Sequence, residues 1–320
     1  MRALLIVNPN ATTTTPAGRD RLAHALAERV ALTVAHTTHR GHAAELARSA
    51  HADGMDVVVA HGGDGTVNEI VNGLLGTPRI RAADESLPRL AVVPGGSANV
   101  FARSLGIAAD PMEATDQLLG LLDERAHRRI GLGFCDGRWF VFNAGLGLDA
   151  QVCEAIDVGR ASGKPVTTAR YVRHSIREFF ASKKAEPALT VHLPDRDPVP
   201  GVYYTFVSNS SPWTFLGSRP VHTNPGTSFD TGLGVFAMTT TRVAASLRVV
   251  RQLLARHGRP ESPHLLRLDD VPRVRAVSSR PVGLQVDGDY LGLRTNVEFV
   301  SVPDVLEVVA PKPNSNPEIL

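Results

Sequence analysis

The sequence has few cysteines and no long apolar run. Its 320 residues include two cysteines, which excludes a disulfide framework, and no cysteine and histidine cluster has zinc spacing. No apolar stretch reaches the roughly 18 residues that a transmembrane helix needs. The first apolar run, Ala3–Val7, is too short for a signal sequence. We therefore expect a cytoplasmic protein that is neither exported nor membrane-spanning.

The chain also lacks a strong net charge of either sign. Its 34 Lys and Arg residues nearly balance 32 Asp and Glu residues, for a formal charge of +2. Such mild basicity gives no indication of a nucleic-acid partner, and we predict none. The balance of 43% hydrophobic and 21% charged residues is typical of a globular protein, and the length favours about two domains.

Residues 1–127 alternate short apolar runs with helical patterns, which predicts an α/β domain with a parallel sheet. Strands are predicted at Leu4–Asn8, Leu32–Thr37, Asp56–His61 and Leu90–Pro94. Helices are predicted at Gly18–Arg29, Gly41–Ala52, Thr66–Leu75, Ala98–Leu105 and Met112–Asp123. Repeated strand–helix units predict right-handed crossovers and a ligand beyond the carboxyl ends of the strands.

Residues 128–302 read instead as short strands with turn signals, which predicts a second, largely antiparallel domain. These strands are predicted at Ile130–Asp136, Arg138–Asn143, Ala188–Leu193, Val202–Asn209, Gly234–Thr239, Leu265–Ser278, Val282–Val286 and Val297–Val300. Two helices are expected among them, at Val166–Ser182 and Val243–Arg256. We expect residues 303–311 to return to the first domain and residues 312–320 to form a flexible tail.

Three turns rich in glycine, asparagine or proline follow predicted strands. They are Asn8-Pro9-Asn10, Gly62-Gly63-Asp64-Gly65-Thr66 and Pro94-Gly95-Gly96-Ser97-Ala98-Asn99. Glycine lets main-chain N–H groups approach a ligand closely, and a helix start favours anions. The second turn alone would equally fit a tight turn whose aspartate fixes the loop. Three such turns at one sheet edge predict a site for a phosphorylated ligand.

The helix after the second turn carries a further local signal. Thr66 and Glu69 have the spacing of a capping box, in which each side chain bonds the main chain of the other. We therefore expect this helix to begin at Thr66.

The ordered set of motifs resembles the diacylglycerol kinase catalytic-domain family, which also includes sphingosine and ceramide kinases. The matching residues are Asn8-Pro9, Thr37 with Gly41-His42-Ala43, Gly62 to Glu69, Pro94 to Asn99, Asn143 to Asp149, and Asp287-Gly288-Asp289. They follow the family order across nearly the whole chain, whereas the Gly-Gly-Asp-Gly turn alone is shared with NAD kinases and phosphofructokinases. The resemblance implies a phosphofructokinase-like N-terminal domain and a C-terminal β-sandwich.

The resemblance also implies ATP and Mg²⁺ as ligands of the first domain. The residues carried over as ATP contacts are Asn8, Pro9, Asn10, Thr37, Gly62, Gly63, Asp64, Gly65, Thr66, Asn68, Glu69, Gly95, Gly96, Ser97 and Asn99. Asp64 is predicted to organise Mg²⁺ and ATP through water, because Mg²⁺ keeps several of its waters in proteins. Ser97 stands where the family often has threonine, and it keeps the hydroxyl.

The chain departs from the family pattern at two places in the second domain. The family's base is usually the glutamate of Asp-Gly-Glu, and here Asp289 is predicted to accept the proton of a lipid hydroxyl. By itself, Asp287-Gly288-Asp289 would also fit a hairpin turn. The family's second-domain Mg²⁺ site usually has a second aspartate where Thr231 stands, which leaves Asp230 as the remaining candidate metal ligand.

Together these residues predict an ATP-dependent kinase that phosphorylates a hydroxyl of a diacylglycerol-like lipid. Two alternatives stay open: a soluble-metabolite kinase of the NAD kinase type, and a lipid-binding regulatory protein with impaired catalysis. The pattern does not distinguish diacylglycerol from monoacylglycerol, a sphingoid base or ceramide. The resemblance allows a homodimer, by analogy alone.

Arginine spacing predicts transient binding to an anionic membrane, although an ordinary solvated helix face is the alternative. Arg170, Arg173 and Arg177 would share one helix face, as would Arg248 and Arg251, with Arg256 and Arg259 following. In a separate loop, Trp213, Phe215 and Leu216 are expected either to meet lipid or to lie in the core.

Overall fold

The computed structural model describes residues 1–78, 87–147, 186–255 and 258–313. Two compact units divide these ranges: Met1–Ile130 with the segment from Asp304, and Gly131–Pro303. The predicted helix Val166–Ser182 with its three arginines lies outside the described residues, as do Asp149 and Arg256. No helix within the described ranges has the length and apolar character to cross a bilayer.

The first unit is a parallel sheet with helices between its strands, which confirms the predicted α/β class. Its strands are β1 (Arg2–Val7), β2 (Ala31–His36), β3 (Val57–Gly62) and β4 (Arg89–Pro94). Its helices are α1 (Pro16–Ala27), α2 (His42–Ala52), α3 (Asp64–Leu75), α4 (Val100–Ser104) and α5 (Pro111–Asp123). The strand order is β2-β1-β3-β4 with parallel pairing throughout.

The central strands of this sheet are buried as their composition predicts. All six residues of β3 are buried, whereas the edge strand β2 is largely exposed. Later in the chain Val308 pairs in parallel with Leu90 of β4, and the Val309 N–H donates to the Leu90 carbonyl oxygen at 2.9 Å. Residues after Asp304 thus add to the same sheet.

Local capping decides where the helices begin. The hydroxyl of Thr15 accepts the Gly18 N–H at 3.1 Å, and Pro16 occupies the first helical position, which proline favours. Helix α1 therefore begins two residues before the predicted start at Gly18. The Asp110 carboxylate accepts the N–H groups of Met112 and Glu113 and caps α5 in the same way.

The expected capping box at Thr66 and Glu69 is wrong. Gly63 is the N-cap of α3, and its extended backbone places Asp64 as the first helical residue. The Glu69 carboxylate instead accepts the N–H groups of Gly41 at 2.9 Å and Ala43 at 3.2 Å. It thereby caps α2, because the N-cap of that helix is a glycine without a side chain to do so.

The second unit is largely antiparallel, as predicted. Its strands are β5 (Arg128–Cys135), β6 (Arg138–Phe140), β7 (Asn143–Leu146), β8 (Leu189–His192), β9 (Val199–Val202), β10 (Tyr204–Ser208), β11 (Thr214–Leu216), β12 (Arg219–Val221), β13 (Leu233–Met238), β14 (Leu265–Val271), β15 (Arg273–Val286) and β16 (Asp289–Val308). The first residues of β5 and the last of β16 belong to the first unit. One helix, α6 (Val243–Leu253), follows β13. The order β14-β13-β10-β7-β15-β16 forms the main sheet, and β8 pairs with both β15 and β9.

Aromatic pairs contribute to the mainly aliphatic interior of the second unit. Phe140 and Phe299 pack edge to face with ring centroids 6.3 Å apart, a favourable geometry for aromatic pairs. Phe215 is buried, and the Trp213 ring packs against Phe206 at 5.5 Å. For Phe215 the structure therefore selects the core alternative rather than contact with lipid.

His61 is expected to make the stability of the first unit depend on pH. It lies in β3 with 2% of its surface exposed, and burial lowers its pKa although Nδ1 contacts the Val93 carbonyl oxygen. Above pH about 6.5 the imidazole is neutral in both the folded and the unfolded chain. Below that pH the unfolded chain binds a proton that the folded chain excludes, so the free energy of unfolding falls as pH falls.

The substitution His61→Gln should flatten this fall by up to about 1.4 kcal/mol per pH unit, measured by urea unfolding at a series of pH values below neutrality. His24→Gln is the matched control, because the side chain of His24 is 83% exposed. A slope that His61→Gln leaves unchanged would contradict the expectation.

Candidate functional site

The two glycine turns that follow β3 and β4 pack directly on each other. The Gly95 N–H donates to the Gly62 carbonyl oxygen at 2.8 Å. A Cβ atom on Gly96 would lie 2.7 Å from the Cα of Gly63, and one on Gly95 would lie 3.0 Å from the Cα of Gly62. The backbones approach more closely than side chains would allow. Both turns therefore need glycine for their mutual packing, apart from any ligand.

Asp64 links these turns through its carboxylate. Its Oδ1 accepts the N–H of Phe101, in the first turn of α4, at 3.1 Å. Burial raises the pKa of Asp64, while main-chain N–H groups of Phe101, Val100 and Asn99 act in the opposite direction. One carboxylate at the start of α3 thus holds the start of α4 in place.

Arg103 is a charged neighbour of this carboxylate. Burial lowers the pKa of the Arg103 guanidinium, and the charge of Asp64 opposes that shift. The pair shows that both charges are partly withdrawn from water.

Asparagine side chains close the two flanking loops. Asn99 has a left-handed backbone with φ of 49°, and its amide both accepts from the Gly96 N–H and donates to the Gly96 carbonyl oxygen, each at 2.8 Å. Asparagine tolerates this conformation better than most residues. After β1, the Asn8 Nδ2 donates to the Thr66 hydroxyl at 3.1 Å, and the Thr13 N–H donates to the Gly95 carbonyl oxygen at 2.9 Å. The structure therefore brings the three predicted turns together.

Gly65 and Ser97 are predicted contacts with open surroundings. Both are exposed, and a Cβ atom on Gly65 would meet nothing within 4 Å. Gly65 lies in the first turn of α3, where N–H groups have no acceptor within the helix and the helix dipole favours an anion. A phosphate can approach the backbone there, so these residues fit a nucleotide.

Other predicted ATP contacts are engaged within the fold or stand apart from the turns. Asn68 is buried and accepts from the Asn72 amide at 3.2 Å, and Glu69 caps α2. Thr37 follows β2, and its N–H donates to the Val7 carbonyl oxygen. Pro9 and Asn10 are exposed. The ligand contacts of all of these residues stay predictions.

In the second unit, Asp287 anchors the hairpin between β15 and β16. Asp287 and Gly288 both have positive φ, of 48° and 83°, and form its two-residue turn. The buried Asp287 carboxylate accepts the N–H groups of Val141 at 2.7 Å, Phe142 at 3.1 Å and Asn143 at 3.0 Å. These contacts take the Val141 and Phe142 N–H groups away from strand pairing. The predicted strand Arg138–Asn143 is therefore divided into β6 and β7.

Asp289, the predicted base, is paired with an arginine. The Arg138 Nη2 lies 2.6 Å from its Oδ2, and both side chains are about one-fifth exposed, at 23% and 19%. A second pair has the opposite arrangement, since Arg294 of β16 contacts Asp136 of the β5–β6 turn at 2.7 Å. The β5–β6 hairpin and the β15–β16 hairpin are therefore joined by two ion pairs, and each hairpin contributes one arginine and one aspartate. Such pairs fix a carboxylate in orientation.

The predicted metal ligand Asp230 is an exposed residue of the loop before β13. The Thr231 hydroxyl donates to the Ser228 carbonyl oxygen at 3.1 Å and accepts the Ser228 N–H at 2.9 Å, so it closes the loop on itself. Across the described ranges, no group of three or more histidine, cysteine, aspartate or glutamate residues is placed to hold a metal. Asp230 and Asp64 as Mg²⁺ ligands both stay predictions.

The comparison with known proteins gives the same assignment as the motifs. The model of the diacylglycerol kinase catalytic domain matches residues 2–129. A protein of Chromohalobacter salexigens named "Probable lipid kinase YegS-like" is 30% identical over 301 residues, which cover 92% of this chain and 87% of that protein. The chain belongs to the diacylglycerol kinase catalytic-domain family.

Further relatives agree with this family membership. The diacylglycerol kinase of Bacillus subtilis is 38% identical over 112 residues, 35% of this chain and 33% of that protein. A crystal structure of a diacylglycerol kinase from Bacillus anthracis superimposes with a TM-score of 0.68 at 19% identity, covering 100% of this chain and 98% of that chain. The latter likeness shows a shared fold. The predicted family and the prediction of a kinase enzyme are confirmed.

Two arginines of this diacylglycerol kinase family member are not predicted from its sequence. Arg103 follows three apolar residues in α4, and a lone charge in so apolar a helix is a usable signal for a buried partner. Arg138 gives no such signal, because its partner Asp289 is 151 residues away in the chain.

Replacing Asp287 with alanine should destabilise the protein by about 3 kcal/mol or more, measured by urea unfolding. The reason is that three buried N–H groups lose their acceptor, and an unsatisfied buried donor costs roughly 1–3 kcal/mol. Asp195→Ala is the matched control, since Asp195 also has a left-handed backbone with φ of 55° but is exposed. Equal losses in the two variants would show that backbone conformation, rather than the three hydrogen bonds, sets the cost.

Proposed function

We propose that this family member is an ATP-dependent lipid kinase that phosphorylates a hydroxyl of a diacylglycerol-like lipid. The observation that carries the proposal is the set of turns tied together at the carboxyl ends of the parallel strands. Open space stands over Gly65 at a helix start, beside the exposed Ser97 turn. Helix starts at this edge of an α/β sheet are suited to phosphate groups.

In the proposed reaction, the lipid hydroxyl oxygen attacks the γ-phosphorus of ATP while the bond to the β–γ bridging oxygen breaks and ADP leaves. The main-chain N–H groups at the start of α3 hold phosphate oxygens, and the Ser97 hydroxyl donates to phosphate oxygens as well. The residue proposed to take the hydroxyl proton is Asp289. Its Oδ2 contact with Arg138 holds the carboxylate in one orientation, which supports this role.

Asp64 is the residue proposed to hold Mg²⁺ in the first unit. The Phe101 N–H bonds the Oδ1 atom of Asp64, and the Oδ2 atom is the proposed acceptor for a water of the hydrated ion. When bound, Mg²⁺ would offset the negative charge of the phosphate oxygens. Partial burial of Asp64 adds to the fit, because a cation relieves the cost of a desolvated anion.

The proposed substrate lies in a bilayer, so we propose transient, peripheral association with anionic membranes. Exposed arginines of the second unit, among them Arg248, Arg251 and Arg259, support such association. A lipid kinase needs only brief contact of this kind to reach its substrate.

Radiolabelled ATP offered together with extracted lipids, NAD and sugars tests the reaction. We expect label in a phosphatidate-like lipid, and Asp289→Asn should lower kcat by about a hundredfold or more, as loss of a general base does. Asp289→Glu should retain activity because the carboxylate remains. Asp136→Asn, at the second arginine pair, is the matched control and should keep most activity.

Other distributions of label would refute the proposal. Label in soluble product alone would favour a metabolite kinase. Label in no product, with lipid binding intact, would favour a regulatory protein.

Gly65→Ala tests the nucleotide site without disturbing the fold. The new methyl group meets no protein atom, and alanine should stabilise the helix by roughly 0.5–1 kcal/mol. If phosphate occupies this space, the dissociation constant for ATP should rise about tenfold or more while the melting temperature does not fall, measured by calorimetry. Gly120→Ala is the matched control, because Gly120 is an equally open glycine of α5. Unaltered ATP affinity in Gly65→Ala would place the phosphates elsewhere.

A further inference from the structure

Helix α6 exposes a stripe of large apolar side chains. Leu247 is 51% exposed, Val250 is 45% exposed, and Leu254, which caps the helix, is 40% exposed. They are half of the six large apolar side chains that are exposed in the described ranges. Their spacing of three and four residues places them on one face of the helix.

A different face of α6 attaches it to the protein. Ser246 and Val249 are buried, and Val249 packs with Phe236 and Met238 of β13. Leu253 and Leu265 are partly buried against the same cluster. The fold therefore has its own apolar contact with this helix, and the exposed stripe is additional to it.

Positive charge predominates around the stripe, although the exposed Glu261 lies nearby, since its N–H donates to the side-chain oxygen of Gln252 in α6 at 3.0 Å. From Thr231 to Pro260 the sequence contains five arginines and no aspartate or glutamate. Arg242, Arg248 and Arg251 are exposed, and within the described ranges they make no ion pair. An apolar stripe beside arginines without an ion pair is complementary to an anionic bilayer, which has charged headgroups at its surface and acyl chains beneath them.

We propose that α6 is the membrane-binding element of this protein, lying in the plane of an anionic bilayer. Leu247, Val250 and Leu254 enter the boundary of the acyl chains, while Arg248 and Arg251 contact lipid phosphates. The inference rests on the proposed function in one respect, that a lipid kinase works at a bilayer, and it names the surface that does so. A second copy of the chain fits the face poorly, because a two-fold contact would bring like arginines together.

Sedimentation with vesicles of phosphatidylcholine, with and without phosphatidylglycerol, tests the surface. The double variant Leu247→Gln with Val250→Gln should lower the partition coefficient on anionic vesicles by about tenfold or more. Arg248→Gln with Arg251→Gln should lower it by roughly fivefold for each arginine, and added salt should remove this difference. Two matched controls should bind as the wild type does: Leu293→Gln, at a 59% exposed leucine of β16, and Arg21→Gln with Arg48→Gln, at exposed arginines of the first unit.

Two further measurements separate this inference from the proposed function. Thermal melting shows whether each variant is folded. If the double variant at Leu247 and Val250 is unfolded, the double variant at Arg248 and Arg251, whose side chains are exposed, still tests the surface. Kinase activity on substrate dissolved in detergent micelles should be equal in wild type and variants. If the α6 variants bind vesicles as well as the wild type does, the inference about α6 is overturned. Kinase activity in micelles would in that case still support the proposed function. A wild-type dimer that the double variant at Leu247 and Val250 dissociates would also overturn the inference about α6, because the stripe would then be a subunit interface.

Discussion

Two carboxylates on helix α3 determine where the loops of the first unit lie. Asp64 accepts the N–H of Phe101 at the start of α4, and Glu69 accepts N–H groups of Gly41 and Ala43 at the start of α2. A helix start has donors that its own backbone cannot satisfy, so an acidic side chain on a neighbouring element is a strong fixed point. The proposed nucleotide turns are connected to these starts, and their geometry follows from one helix.

The second unit uses the same interaction in its hairpin. The Asp287 carboxylate accepts three main-chain N–H groups and divides β6 from β7. Asp64 of the glycine turn and Asp287 of the hairpin turn thus both stabilise the fold. Loss of activity on replacing Asp64 would consequently combine two effects, a displaced α4 and a changed phosphate site. Replacing Asp289 likewise removes the partner of Arg138, so the comparison of Asp289→Asn with Asp289→Glu separates the chemistry from the ion pair.

Local sequence patterns predicted most of the helices and strands. The errors arose where a residue bonds to a partner that is distant in the sequence. The apolar run of β3 and the glycines after it follow from residues close in sequence, and the predicted strand agrees with the structure to within one residue at each end. The start of α3 was misplaced because Thr66 and Glu69 match a local motif, yet both bond to distant residues, Asn8 and Gly41. Similarly, nothing near Arg138 in sequence indicates Asp289. Pattern and spacing report on neighbours along the chain, whereas these contacts depend on the finished fold.

The Asp287-Gly288 turn has a consequence for the lifetime of the protein. Aspartate followed by glycine is prone to spontaneous isomerisation, in which the glycine nitrogen attacks the aspartate carboxyl carbon, water leaves and a cyclic imide forms. Here both reacting groups are occupied. Three N–H groups hold the Asp287 carboxylate, and the Gly288 N–H donates to the Gln285 side-chain oxygen at 2.9 Å. The contacts that shape the hairpin therefore also protect it against chemical ageing.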